Sequence, residues 1–405
     1  MKNDIFVLVG IAPNLITQTI HYLKKYSCRI VVIEDKQILN NYFDVLIEND
    51  VYPLFADITS TCNLRKKLKE TINLEEVQAI YSFREDSLIA TAELAEELGV
   101  VTLPLEVVKN TVDKVRTRNI LKEQRIDCIS YRLCNSEEEI RLFLKENSEG
   151  IVLKPRNLKG SIGVQIIKND DDISNAYREI SQIIDNKEIL VEEELIGEEI
   201  AVELLVFYDE IFLVDITQKK LYKNSSVEQG HICPHPRTNE LFIKYEKWFK
   251  KIVKALKISF GPVALEMIFS EKKYHLVEIH TRYGGDCLIP MAEKVYQTSY
   301  VEPIIRYLLG LTVNMKKDKQ EKYVCEIFYL NPPLGKIINI DSFDWLRNIP
   351  FVMDFDIQLK KGDVITQVKS SIDRKGWILI SGKDYSDVKN KFQMIEKKLF
   401  IEVKK

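Results

Sequence analysis

The 405-residue chain is long enough for two or three domains. Apolar residues make up 45% and charged residues 29%, and 58 Lys and Arg against 61 Asp and Glu leave a net charge of -3, which excludes the broad basic field that nucleic acid or an anionic membrane requires. Seven scattered cysteines without a C-x-x-C argue against a disulfide framework, and no apolar run approaches a membrane span, so a soluble cytoplasmic protein is expected.

The opening MKNDIFVLVG lacks a signal-peptide cleavage pattern and leads into a buried-type strand, IFVLVG (5–10). LITQTIHYLKKY predicts a helix, and RIVVIE (29–34) and VQAIYSF (77–83) predict further strands. EDSLIATAELAEELGV then predicts an amphipathic helix ended by Gly99. This alternation indicates a parallel α/β domain without the G-x-G-x-x-G of a dinucleotide site. TVDKVRTRNILKEQRI (111–126) reads as one basic helix, followed by a linker-like DCISYRL.

From residue 150 the strands shorten. GIVLKP and GVQIIK flank RNLKGSI, a hairpin with a long basic tip, and a helix (171–185) follows. The strands EILVEEEL, EIAVELLVFYD and EIFLVDITQ, a helix (239–257), and the pair GPVALEMIFSE and KYHLVEIHTR, joined by SEKK, indicate a mostly antiparallel α+β core. A helix ends near Gly310, and the polar NMKKDKQEK (314–322) marks a boundary. Beyond it come strands in YVCEIFYL, GKIINI, DVITQV and GWILISG, then a final helix from about 384.

Five features carry chemistry. Lys154 ends a strand, and the loop behind it holds Lys159, Gly160 and Ser161. Glycine lets backbone N–H groups approach phosphate oxygens and lysine supplies point charge, although an ordinary solvated hairpin fits the same residues. VEEELIGEE (191–199) runs from a strand into consecutive acids, which suits either a charged strand end or a hinge offering backbone groups to adenine. Glu266 and Glu278 fall nearly opposite one another in adjacent apolar strands. Opposed like charges destabilise a sheet unless a cation lies between them, and carboxylate oxygens suit Mg2+. In LVEIHTRYGGD (276–286), alternation puts Glu278, His280 and Arg282 on one face, ahead of Gly284, Gly285 and Asp286. SSVEQGHICPHP (225–236) is an ordered loop with Glu228, His231 and His235. A zinc site of His231, Cys233 and His235 competes there but lacks a second ligand pair.

Taken in order, Asp113-Lys114, Lys154 with its glycine loop, the acids 192–199, Glu266, and Glu278-x-His280-x-Arg282 resemble the ATP-grasp superfamily. The likeness extends to its carboxylate–amine (amino-acid) ligase branch and covers residues 75–310 well, the first 75 loosely, and the C-terminal region only in layout. It implies a mixed α/β and α+β fold: an N-terminal parallel α/β (pre-ATP-grasp) domain (1–112), an ATP-grasp domain of two α+β subdomains (113–312, lid about 125–194), and a small C-terminal α/β subdomain (313–405). The implied cofactors are ATP and Mg2+, with two ions, or Mn2+ in their place.

By the same resemblance, Lys114 and Lys154 would contact ATP phosphates, and the loop 156–162, with Lys159, Gly160 and Ser161, would close over them. Glu192 and the backbone of Glu193 to Leu195 would hold adenine, and Glu199 the ribose. Glu266 and Glu278 would bind metal. His280 stands where the family usually carries asparagine; it would join them or touch phosphate or substrate. Arg282 would be catalytic, holding the carboxylate and the developing acyl phosphate, with the backbone N–H groups of Gly284 and Gly285 closing on the anion and Asp286 binding substrate. EQGHICP resembles the branch's acid–x–Gly–His–x–x–Pro loop, which gives Glu228 and His231 to the substrate pocket. The implied activity is ADP-forming: a carboxylate, that of an amino acid, is activated as an acyl phosphate and joined to an amine. Alternatives are a purine-pathway or biotin-carboxylase-like enzyme, or an inactive ATP-binding regulatory module. The expected partners are small-molecule carboxylate and amine substrates and a second copy in a homodimer, with neither nucleic acid nor membrane.

Overall fold

A computed structural model describes residues 4–184, 188–223, 225–270, 273–315 and 320–404. The first apolar run forms β1 (Ile5–Val9), buried at every position. With β2 (Arg29–Glu34), β3 (Tyr52–Phe55) and β4 (Val77–Tyr81) it makes a parallel sheet in the order β3-β2-β1-β4. The crossovers are α1 (Ile16–Lys25), α2 (Lys36–Glu48) and α3 (Thr61–Thr71), and α4 (Leu88–Leu98) follows β4. Phe6 and Leu8 pack into one apolar cluster and Ile5, Val7 and Val9 into another, so both sheet faces are covered. The helix expected from Glu85 starts later, because Glu85–Ser87 forms a 3-10 turn at the carboxyl end of β4. That turn aims Glu85 away from the helix and toward the rest of the molecule.

The single basic helix expected over 111–126 is instead two, α5 (Leu105–Val112) and α6 (Lys114–Glu123). Asp113 between them is extended, and its side chain accepts from the N–H groups of Val115 and Arg116. Aspartate satisfies orphan helix donors better as a cap than inside a helix, so the chain breaks there. The linker-like segment contains β5 (Tyr131–Cys134), which leads to α7 (Glu137–Glu146), β6 (Ile151–Pro155), β7 (Gln165–Ile167), α8 (Ile173–Ser181) and β8 (Ile189–Glu193). These strands form an antiparallel sheet ordered β5-β8-β6-β7, with its own apolar cluster under both helices. Residue 185, the expected end of that second helix, lies outside the described residues.

The long strands β9 (Glu198–Phe207), β10 (Glu210–Leu221), β11 (Glu228–Cys233), β12 (Phe260–Ser270) and β13 (Lys273–His280) belong to an eight-stranded sheet. Period-two alternation sorts their residues. Val202, Leu204 and Val206 of β9 pack with Val263 and Leu265 of β12 against α9 (Thr238–Ala255). The opposite face of the same strands carries Glu199, Glu203, Lys219, Glu266 and Glu278. Two of the expected SEKK turn residues, 271 and 272, lie outside the described residues, as do 316–319 of the polar run.

After α10 (Leu288–Tyr296) and α11 (Val301–Leu308), the chain adds β14 (Val324–Tyr329), β15 (Gly335–Ile340), β16 (Val352–Asp356), β17 (Val364–Ile365), β18 (Trp377–Gly382), α12 (Tyr385–Glu396) and β19 (Ile401–Lys404). β14 pairs with β11, so the sheet continues as β13-β12-β9-β10-β11-β14-β18-β16 across the polar run. β17, β15 and β19 form a separate small sheet. No helix of the described residues is long and apolar enough to cross a membrane.

Candidate active site

Glu266 and Glu278 are register partners on β12 and β13, and a bulge follows between Glu266 and Met267. One ligand atom each from Glu266, Glu278 and His280 lies within 4.8 Å of the others, the one such group among the described residues. Each carboxylate faces a cation of the chain itself. Lys219 Nζ donates to Glu266 Oε2 at 2.9 Å and also lies 3.3 Å from Glu199 and 3.2 Å from Glu228. Lys114 Nζ is 3.2 Å from Glu278 Oε1, and His280 Nε2 is 3.3 Å from Glu278 Oε2. Burial pushes the Glu278 carboxyl up, but Lys114 and His280 outweigh it and hold it well below the usual range. Lys219 likewise outweighs burial at Glu266 and lowers its carboxyl. Both acids are therefore ionised, and a pair of ionised carboxylates at this spacing fits a hard divalent cation. His280 fits less well. Burial disfavours its charge, but Glu85 outweighs burial and raises the ring to about 9, and an imidazolium has no lone pair to give a metal.

Beside the acids, a cleft of about 260 Å³ is lined by Lys154, Gly160, Ser161, Glu193, Leu195 and Glu199, with Glu266 and Glu278 at its end. The loop 156–162 beside it is tied down at several points. Lys114 Nζ donates to the Leu158 carbonyl at 2.6 Å, Lys159 pairs with Asp86, and Arg156 makes a fork to Asp113 at 2.9 and 2.7 Å. Glu192 is committed elsewhere. Its carboxylate takes Lys154 at 2.7 Å and Arg118 at 2.5 Å, and Arg118 also donates to the carbonyls of Leu276 and Val277. Burial is outweighed by these two cations, which hold Glu192 at about 2. That buried network fixes Lys154 in the cleft, so the Glu192 carboxylate is a poor candidate for the adenine contact. Glu193 similarly spends Oε1 on the N–H of Ser130 at 2.7 Å.

A second cavity, of about 350 Å³, shares Gly160, Lys219, Glu228, Glu266 and Glu278 with the first. The acids thus stand where the two spaces meet. Arg282 enters the second cavity, held by Glu85 Oε2 at 2.5 Å and by the Tyr283 carbonyl at 2.7 Å. Glu203 lies beneath, buried, with Oε1 accepting from the Gly284 N–H at 2.9 Å and Oε2 lacking a hydrogen-bond partner. Burial pushes this carboxyl up to about 8. A Cβ on Gly284 would meet Glu203 Oε1 at 2.2 Å, which explains the glycine. Gly285 faces open space. Glu228 and His231 line the same cavity, and His231 Nε2 lies 2.9 Å from Asp286 Oδ2. Asp286 is fully engaged by His231, Tyr329 and Arg374 rather than free for substrate. His235 bonds Glu198 at 3.0 Å, and the buried Cys233 thiol is pushed far up and donates to Asp215, so neither the zinc site nor a nucleophilic cysteine forms.

Residues 147–290 match the ATP-grasp domain family, and residues 328–404 match L-amino acid ligase C-terminal domain 2. The chain therefore carries an ATP-grasp domain followed by an L-amino acid ligase C-terminal domain. Alanine–anticapsin ligase of Bacillus subtilis is 22% identical over 330 residues, covering 75% of this chain and 69% of that one. An uncharacterized protein of Sinorhizobium fredii is 21% identical over 285 residues; the match takes in 68% of this chain but only 57% of the relative's length. The solved L-amino acid ligase from Bacillus licheniformis superposes with a TM-score of 0.80 at 16% identity, over 100% of both chains.

Several residues around these cavities are not marked out by the sequence alone. Glu203 carried the signal that exposed Glu266, an acid inside an apolar strand, and could have been found by it. Lys219 in TQKKL reads as an ordinary solvated strand end. Arg118, Glu85 and Arg374 reach the site only through the fold.

Proposed function

We propose that the protein is an ATP-dependent carboxylate–amine ligase that activates an amino-acid carboxylate as an acyl phosphate and joins it to an amine, releasing ADP and phosphate. The observation that carries this reading is the seam between the two cavities. Two ionised acids stand there, with Lys114, Lys154 and Lys219 around them and Arg282 opposite. A carboxylate must approach a polyanion in the first step, so the site has to neutralise charge around the transferring group.

In this reading Glu266 and Glu278 hold Mg2+, which when bound polarises the phosphates of the nucleotide. Two ions, or Mn2+ instead, belong to the same proposal. Lys154, set by Glu192 and Arg118, meets phosphate; Lys159, Gly160 and Ser161 cover it; Glu199 and the backbone at Glu193 to Leu195 hold the nucleoside. Arg282, oriented by Glu85, holds the substrate carboxylate, and Gly284 and Gly285 leave room for it. Glu228 and His231 border the amine side. The reading puts the enzyme in the cytoplasm, where ATP is made and where its seven unpaired cysteines stay reduced. A homodimer is part of the same proposal.

The test is incubation with ATP, Mg2+ and pooled amino acids, followed by nucleotide and product analysis. ADP and phosphate should appear only when a carboxylate is present, and an amide when an amine is added. Release of AMP and pyrophosphate would contradict the acyl-phosphate route.

A further inference from the structure

The substrate cavity does not end on the large sheet. Past Asp286 it adjoins an outer cavity of about 600 Å³, bounded by Pro13 and Asn14 on one side and by C-terminal residues on the other. Asp286, Ser371 and Arg374 line both spaces, so these three residues form the wall between them.

Arg374 is held firmly in that wall. Nη1 and Nη2 donate to Asp286 Oδ2 and Oδ1 at 2.7 and 2.8 Å, and Nε donates to the Ser371 carbonyl at 3.0 Å. The guanidinium centre lies 3.6 Å from the centroid of the Tyr329 ring. Asp286 also accepts from Tyr329 OH at 2.6 Å and faces His231 at 2.9 Å. The turn carrying Arg374 reaches the phosphate loop as well. The Ser371 N–H donates to the Gly160 carbonyl at 3.1 Å, and Ser371 Oγ to Glu228 Oε2 at 3.4 Å. One short C-terminal turn thus ties together the lid loop, the sheet and the pocket wall. A planar fork pressed on an aromatic ring is a partition that a lysine could not reproduce.

We propose that the Ser370–Arg374 turn is the gate of the substrate cavity, with Arg374 as the positioning residue that shields the acyl phosphate from water and opens to admit the amine from the outer cavity. The proposal rests on the ligase reading above. In the amide-forming step the amine nitrogen bonds to the acyl carbon while the bond from that carbon to the phosphate oxygen breaks. Phosphate leaves with the electron pair, and the nitrogen gives its proton to solvent. Water attacking the same carbon returns the free acid and phosphate, so a leaking wall turns over ATP without product. Opening breaks the two parallel bonds of the fork and leaves Asp286 on Tyr329 and His231.

The experiment compares wild type with Arg374→Ala, Arg374→Lys and Asp286→Asn, each shown folded by thermal melting. All are given ATP, Mg2+ and the amino-acid pair that supports turnover, and ADP and amide are counted separately. Wild type should release about one ADP per amide. Arg374→Ala and Asp286→Asn should raise that ratio at least threefold, with the KM for ATP within twofold of wild type, and Arg374→Lys should fall between. A ratio that stays at one in the folded variants overturns the gate, as does a rise in the KM for ATP that accounts for the whole loss. If Arg374→Ala fails to fold, the lysine and asparagine variants carry the comparison. A wild type that makes no amide with any pair removes the ligase reading and the gate with it, a result distinct from a tightly coupled ratio in the variants.

Discussion

Glu278 stands opposite Glu266 in register, a placement that costs sheet stability unless positive charge lies between the two. Lys114, Lys219 and His280 supply that charge in the protein alone. Glu278→Gln keeps the shape and removes the charge, so turnover should fall at least 100-fold while the melting temperature moves little. Undiminished turnover would contradict the metal role. Glu203 makes a separate prediction through pH. An ordinary glutamate at 4.5 is raised here to about 8, so between these values the folded state keeps a proton that the unfolded state has released. Stability from this residue is whole below pH 4.5 and falls by about 1.4 kcal/mol per unit as pH rises toward 8. Glu203→Gln cannot ionise and still accepts from Gly284. Its melting temperature relative to wild type should climb between pH 5 and pH 8, and a constant difference would contradict the burial argument. At this scale the sequence revealed what strand alternation reveals. Glu266, Glu278, His280 and Arg282 share a face because period two says so. Lys219 and Arg374 stayed hidden because a lysine at a strand end and an arginine in a polar turn are ordinary surface residues until a sheet brings acids to them.

At the scale of elements, the break at Asp113 matters most. Its side chain caps α6 and grips Arg156 at the base of the loop 156–162. Asp113→Ala should cost about 1 kcal/mol through the lost cap, and should also raise the KM for ATP severalfold by freeing the loop. Chemical denaturation and ATP titration check the two effects separately; a lost cap with unchanged ATP affinity would detach Arg156 from loop control. Element existence was legible for the long amphipathic and alternating runs. The break in 111–126 was less so, because the charged pattern continues across it and only the capping geometry of one aspartate ends the first helix. β5, β16 and β19 are short and lean on neighbours for their pairing, so local sequence carried little sign of them.

At the scale of the molecule, the large sheet joins segments far apart in sequence. β14 closes the edge of β11, and Cys325, Ile327 and Leu379 enter the same apolar cluster as Phe6 and Leu205. A chain cut after residue 312 would expose the β11 edge and part of that cluster, so it should be found in the insoluble fraction on expression. A soluble, cooperatively melting fragment would show that the C-terminal segment is an appendage. The sequence suggested a boundary near 314–322 from its polarity, but polarity could not say that strands on either side pair with one another. In the proposed reaction a carboxylate oxygen attacks the γ-phosphate and later departs with it. That route is tested most directly by supplying the amino-acid substrate with 18O in its carboxylate and analysing the phosphate released during amide formation. One 18O atom should appear in each phosphate, formed together with ADP; unlabelled phosphate, or label carried into AMP, would overturn the acyl-phosphate route.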